Sequence, residues 1–263
     1  MKEILKKTFL IPVLFIVAIT IPFSCFGQEN AQLLFDRAND ALKAGNIEEA
    51  LATYNKLEEQ KTISGPLFLN MGISYIEIDS LGKAKYYLLK ASRHEETEDE
   101  AKKGLEYVEN QFSRQSAALP KMPWEKAVDW LRINMGASLL LGIAIILFNM
   151  GVILFVANWF FELPFASWIK KSGIGLAGLG ITIILLSFYV DYVENRYSDA
   201  VMISMQTNVL EKPVSDASVI SQAYEGYSFT VDHHKSRKQQ GWNYVRMSNG
   251  LYGWIPSSEI MIL

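Results

Sequence analysis

Few residues in this sequence have the chemistry needed for catalysis or for holding a metal. The chain of 263 residues includes three histidines, His94, His233 and His234, and a single cysteine, Cys25. His233 and His234 are adjacent, but no third ligand follows at a spacing typical of zinc motifs. A Ser/His/Asp set, a Cys/His set and a glycine-rich phosphate loop are also missing. The sequence therefore predicts a protein that is not an enzyme and has no cofactor or metal, and it directs attention to binding.

The N-terminal part of the chain contains a repeat. Residues 31–112 hold two segments that align with a shift of 34 residues and no gap, which pairs Ala38 with Gly72. Small residues at such positions let two helices approach closely. The period, together with the small and aromatic positions, resembles the tetratricopeptide repeat. The resemblance implies an all-α repeat domain over residues 28–117, which a helix near residues 98–112 would close. A plain domain of three helical hairpins is the alternative.

In tetratricopeptide repeats, the first helix of each unit lines a concave groove that holds an extended peptide. The resemblance places Asn39 and Asn70 at the amide positions of this groove, whereas Phe35, Glu100 and Gly104 stand where carboxylate-clamping relatives carry basic residues. We therefore expect the groove to bind a peptide backbone without recognising a free C-terminus. The alternative is that both amides are merely solvated. The predicted groove residues are Phe35, Asn39, Leu42, Leu69, Asn70, Ile73 and Ile76.

Two runs without Asp, Glu, Lys or Arg follow, from Ile133 to Phe161 and from Ser172 to Val190. Each run is long enough to cross a hydrocarbon core as a helix, which takes about 20 residues. Because only residues 162–171 separate them, the second helix must return beside the first. The sequence therefore predicts a transmembrane hairpin with helices at 133–161 and 172–190 and a cytoplasmic loop between them. Two buried helices of a soluble core are the alternative.

Small and polar residues within these runs predict how the helices pack. Gly173, Ala177 and Gly180 share one face of the second run and should meet the first run or a partner's helix. Asn149 lies in the middle of the first run, where an amide usually bonds across a helix pair. Both runs lack the ionisable groups that a proton relay uses.

The first residues of the chain have the layout of a secretory signal. Basic residues precede an apolar centre, and small residues near Gly27 suggest cleavage after it, so residues 1–27 form the predicted signal peptide. Cys25 provides a lipoprotein alternative. With an exported N-terminus and an even number of later spans, both soluble parts are expected to face the periplasm. The predicted location is the inner (cytoplasmic) membrane, crossed twice.

Short strands between turns are expected at the C-terminal end of the chain. Tyr227–Val231, Trp242–Met247 and Tyr252–Ile255 are rich in β-forming residues, and Asn249-Gly250 favours a two-residue hairpin turn. The set resembles the bacterial SH3 domain, through Asn208-Val209-Leu210, Glu225-Gly226, Trp242-Asn243-Tyr244-Val245 and Gly253-Trp254-Ile255-Pro256. The resemblance implies an SH3-like small β barrel over residues 200–263. Its expected surface residues are Trp242, Tyr244, Trp254 and Pro256.

Charge and linkers complete the organisation. Residues 28–120 carry 16 acidic and 11 basic side chains, and residues 200–263 carry five of each. Neither part has the basic excess that nucleic-acid binding needs. The basic run at residues 232–240 is interpreted as a solvated loop, with an anionic polymer as the alternative ligand.

Residues 118–132 are predicted to form a linker and a juxtamembrane helix, and residues 191–199 a second linker.

The order of these parts, signal, repeats, membrane hairpin and SH3 domain, resembles the Bat aerotolerance-operon family of Gram-negative bacteria. The resemblance implies a non-enzymatic scaffold or adaptor in the inner membrane. Its partners would be other membrane proteins, including Bat proteins with von Willebrand A-type domains, in a complex for aerotolerance or stress. One alternative is an envelope sensor that binds peptidoglycan through its SH3 domain. Another is a subunit of a transporter.

Overall fold

The structure, a computed structural model, describes residues 25–114, 119–120, 122–160 and 165–263. Most of the predicted signal peptide, residues 1–24, lies outside the described residues. The chain divides into two compact units, Met1–Ser113 and Arg114–Leu263.

The described residues of the first unit form helices that pack on their neighbours in the chain. They are α1 (Cys25–Lys43), α2 (Ile47–Glu59), α3 (Gly65–Glu77), α4 (Leu81–Ala91) and α5 (Glu98–Gln111). Helix α1 packs on α2, α3 packs on α4, and α5 covers α4. Gly72 on α3 makes close approach possible, because a Cβ at this position would lie 2.8 Å from Cγ of Leu88 on α4.

The sequence period reappears in the turns of these helical hairpins. Gly45, between α1 and α2, has φ 77°, and Asp79, between α3 and α4, has φ 56°. The Gly45 N–H donates to the Leu42 carbonyl and the Asp79 N–H to the Ile76 carbonyl, both at 3.0 Å. Left-handed residues of this kind commonly end helices. The same turn therefore occurs twice, 34 residues apart in the chain.

The second unit begins with three helices, α6 (Pro123–Asn134), α7 (Gly136–Phe160) and α8 (Ala166–Arg196). Gly136–Asn158 within α7, and α8 as a whole, are long and apolar enough to cross a membrane, so this part of the sequence prediction is confirmed. Only 17% and 22% of their most apolar windows are buried. The two helices thus contact each other while leaving most of their apolar surface exposed.

The ends of these helices differ from the predicted ones. Ile133 belongs to α6, because the chain turns at Gly136, where φ is 67°. Helix α8 begins at Ala166 rather than Ser172, so much of the predicted loop 162–171 is helical. It also continues to Arg196, which leaves no linker at residues 191–199. Charged residues end a hydrophobic run but are good helix formers, so they do not end the helix.

Glycines set the distance between α7 and α8. A Cβ on Gly151 would lie 2.5 Å from the backbone nitrogen of Ala177, and a Cβ on Gly180 would lie 2.7 Å from that of Phe148. Near one end of the pair, Ser187 Oγ donates to the Ala137 carbonyl at 2.7 Å. The predicted bond from Asn149 to the other helix is wrong. Its amide donates to Ile145 of its own helix instead, because it lies on the exposed side of α7.

An antiparallel sheet completes the second unit. Its strands are β1 (Tyr197–Met202), β2 (Gln206–Leu210), β3 (Val219–Tyr224), β4 (Ser228–Asp232), β5 (Trp242–Met247), β6 (Tyr252–Pro256) and β7 (Ile260–Ile262). They are hydrogen-bonded in the order β3-β2-β6-β5-β4-β1-β7. One face is buried around Met202, Val231, Val245 and Ile255. The prediction of a helical region followed by a small sheet domain is confirmed.

We predict that Gly180→Leu destabilises the α7–α8 pair, because its side chain would meet the Phe148 backbone. Overpacking of this kind costs about 1–3 kcal/mol. The measurement is the melting temperature of the full-length protein in nanodiscs. Gly178→Leu is the matched control, since a Cβ there meets nothing within 4 Å. Equal effects of the two substitutions would show that close packing at Gly180 does not stabilise the pair.

Candidate functional site

The two predicted groove amides contact each other in the first unit. Asn39 lies on α1 and Asn70 on α3, and Nδ2 of Asn70 donates to Oδ1 of Asn39 at 2.8 Å. The hydroxyl of Tyr54, on α2, donates to the same oxygen at 2.7 Å. Three helices are thereby joined at one acceptor.

This network gives Asn39 a structural role. The Tyr54 side chain is fully buried, and burial raises the pKa of its hydroxyl from 10.0 to about 12. The hydroxyl therefore remains a donor throughout the neutral range and needs an acceptor, which Asn39 supplies. An amide group has two donors and an acceptor with two lone pairs. The network therefore uses only part of the bonding capacity of Asn39 and Asn70.

The apolar groove residues occupy the same two helices as the amides. Phe35 and Leu42 lie on α1, and Leu69, Ile73 and Ile76 on α3; Ile73 is exposed and the others are half-buried. The ring of Phe35 lies 6.1 Å from that of Tyr54, next to the amide network. Helices α1 and α3 contact each other. The predicted groove residues therefore lie on two helices that contact each other, and the Asn39–Asn70 bond joins these helices.

A second candidate surface lies on the sheet and joins all four residues predicted there. Trp242 pairs with Pro256, Tyr244 with Trp254, and Arg246 with Tyr252 across β5 and β6. Alternate residues of a strand point to the same face, so these six residues share the face opposite the buried core. We call them the aromatic face.

The geometry of the aromatic face suits stacking. The Tyr244 ring lies 5.2 Å from that of Trp254, edge to face, and 6.1 Å from that of Tyr252. Lys235 Nζ lies 3.9 Å from the centre of the Tyr244 ring. Tyr252 is 50% exposed. Exposed rings beside cations can hold a sugar ring or an extended peptide that carries a negative charge.

Two members of the aromatic face, and the neighbouring Lys235, were not among the residues predicted from the sequence. Tyr252 and Arg246 continue the alternation that starts at Trp254 and Tyr244, so the period of two could have identified them. Lys235 could not have been found in this way, because it reaches Tyr244 from α9 (His233–Ser236). That helix occupies part of the predicted loop 232–240, which is therefore partly helical. Its N-cap is Asp232, whose side chain accepts from the Lys235 N–H.

The histidines do not come together with other ligands. In the second unit, His233 Nε2 lies 2.9 Å from Ser198 Oγ. In the first unit, the ring of His94 lies 6.0 Å from the ring of Phe68. Within the part of the chain that the structure describes, no group of three His, Cys, Asp or Glu residues could hold a metal ion.

Comparison of the chain with protein-family models and with curated proteins gives no match in either set. The interpretation of the two surfaces therefore depends on their geometry and on the sequence resemblances given above.

We predict that Asn39→Ala lowers the stability of the first unit, because it leaves the Tyr54 hydroxyl buried without its acceptor. Such a loss costs about 1–3 kcal/mol. Adding Tyr54→Phe to Asn39→Ala should recover part of the lost stability, because the double variant has no unsatisfied hydroxyl at this position. Thermal melting of the full-length variants measures both effects, with Asn110→Ala on exposed surface as the control. A neutral Asn39→Ala would contradict the structural role of the amide.

Proposed function

We propose that the protein is a non-enzymatic membrane scaffold that presents two binding modules to the periplasm. The observation that carries the proposal is the exposed apolar surface of α7 and α8. Soluble proteins rarely expose apolar patches larger than a few hundred Å². In this protein, two apolar helices of 23 and 31 residues leave most of their surface exposed. A bilayer is the environment that covers such a pair.

The two modules are interpreted as a tetratricopeptide-like repeat unit and an SH3-like barrel. The duplicated turn at Gly45 and Asp79 supports the first interpretation, and the aromatic face on β5 and β6 supports the second. In the first unit, the surface of α1 and α3 would bind an extended, partly apolar segment of another membrane protein. By the family resemblance, this partner belongs to a Bat-type complex.

A second function is favoured by the aromatic face. Peptidoglycan combines sugar rings with peptides that carry carboxylates, and stacked rings next to Lys235 fit both parts. In this function the protein is an envelope sensor, and the sheet rather than the helical unit makes the decisive contact.

One crosslinking experiment distinguishes the two functions. A photoreactive amino acid at Ile73, which is 38% exposed, is expected to crosslink a membrane protein in living cells. The same group at Tyr107, exposed on α5, is the control and should give no such product. A single specific product at Ile73 supports the scaffold.

Failure at Ile73 combined with sedimentation on purified cell-wall sacculi would favour the sensor instead. In that case Tyr252→Ala should abolish sedimentation, because it removes the most exposed ring of the aromatic face. If neither product nor sedimentation is seen, both binding functions are wrong.

A further inference from the structure

Helix α6 (Pro123–Asn134) is joined to the outer face of the sheet by two charge pairs. The Glu125 carboxylate lies 3.8 Å from the Arg246 guanidinium on β5. The Arg132 guanidinium lies 3.8 Å from the Asp199 carboxylate on β1. Arg246 is paired with Thr230 of β4, and Thr230 with Asp199. The two contacts on the sheet are therefore in one row, separated by two strand spacings.

The helix and the sheet match in length. Two strand spacings measure about 9.6 Å, and the seven residue steps from Glu125 to Arg132 rise about 10.5 Å along a helix. Helix α6 therefore crosses β5, β4 and β1, with one charge pair near each end. The Met122 N–H donates to Glu125 at 2.9 Å, which fixes this carboxylate at the start of the helix.

The opposite side of α6 is apolar and uncovered. Trp130 is 58% exposed, Trp124 64% and Ile133 74%. At 3.6 residues per turn, Trp130 lies roughly 150° around the helix from Glu125 and Arg132. Ile133 and the exposed Lys126 lie within about 60° of Trp130 around the helix, whereas Trp124, in the first turn, lies about 120° from it. Helix α6 thus has one face for the sheet and one for another occupant.

The position of α6 in the chain indicates what this occupant is. The helix ends at Asn134, and α7 begins two residues later at Gly136. A helix joined so closely to a membrane span lies at the depth of the lipid headgroups, where Trp side chains are favoured. An amphipathic helix with Trp and Lys on one side binds in the plane of this interface.

We propose that α6 lies in the membrane–water interface, with Trp130 and Ile133 among the lipids and Lys126 beside their phosphates. The sheet, held on the other face of α6, is then fixed at the bilayer surface. This inference rests on the proposed insertion of α7 and α8 into the membrane. The lipid surface is its partner, and a second protein molecule is the competing occupant.

The test places an environment-sensitive fluorophore on cysteines introduced into the full-length Cys25→Ser protein. Ala127→Cys labels the exposed side of α6 between the two tryptophans. Phe188→Cys labels the exposed side of α8, and Ser215→Cys labels an exposed turn of the sheet domain. The proteins are placed in nanodiscs of equal parts phosphatidylcholine and phosphatidylglycerol. A phosphatidylcholine with a doxyl quencher close to its headgroup is added.

The label on Ala127→Cys should lose emission to the shallow quencher, and the label on Ser215→Cys should keep its emission. The Phe188→Cys label reports on helix α8 and should be quenched by the doxyl-labelled phosphatidylcholine. If the Phe188→Cys label is not quenched, the membrane insertion is wrong. If it is quenched while the Ala127→Cys label behaves like that at Ser215→Cys, α6 lies outside the lipid and the inference is overturned. A blue-shifted but unquenched Ala127→Cys label would show a protein on this face, which also overturns it.

Discussion

The close approach of α7 and α8 is the constraint on which the second unit depends. Backbone meets backbone at Gly151 and Gly180, so neither helix can rotate without a clash. In a bilayer, association of this kind relies on van der Waals contact, because lipid tails are as apolar as the side chains they would replace. The bond from Ser187 to Ala137 fixes the register of the two helices at one end. Both α6 and β1 are joined to the pair at that end.

The sheet follows α8 without a linker. Helix α8 ends at Arg196 and β1 begins at Tyr197. The Arg196 guanidinium donates to the Asp232 carboxylate at 2.9 Å, and that carboxylate also caps α9. Burial alone would raise the pKa of Asp232, but its bonds to Arg196 and to the Lys235 N–H lower it below its usual value. The pair therefore stays ionised at neutral pH and joins the end of α8 to the end of β4.

Sequence patterns predicted the elements well where a single physical property decides. A charge-free run identifies a helix that can cross a membrane, and a period of 34 identifies two equivalent hairpins. The same patterns could not locate helix ends, because charged residues such as Lys171 and Glu194 favour helix as well as water. Strands β2 and β3 were not delimited, since their burial does not alternate regularly: Val219 and Ile220 are exposed although they are apolar, and a register shift interrupts the β2–β3 pairing at Val209/Leu210.

The candidate site was predicted in part for similar reasons. Asn39 and Asn70 were found from their positions in the repeat, and the structure brings them together. The bond from Tyr54 to Asn39 could not be foreseen, because it depends on how three helices pack. The contact of Lys235 with Tyr244 likewise joins elements whose arrangement no local pattern contains.

Cysteine labelling tests most directly whether both units lie on the periplasmic side of a membrane that the protein crosses twice, as proposed above. In a Cys25→Ser background, Ser113→Cys and Ser215→Cys report on the two units, and Ser167→Cys on the first turn of α8, at the opposite end of that helix from Arg196. All three positions are exposed. With an impermeant maleimide on intact spheroplasts, we expect labelling of Ser113→Cys and Ser215→Cys, and labelling of Ser167→Cys only after the membrane is permeabilised. Protection of either unit, or labelling of Ser167→Cys in intact spheroplasts, would contradict this expectation.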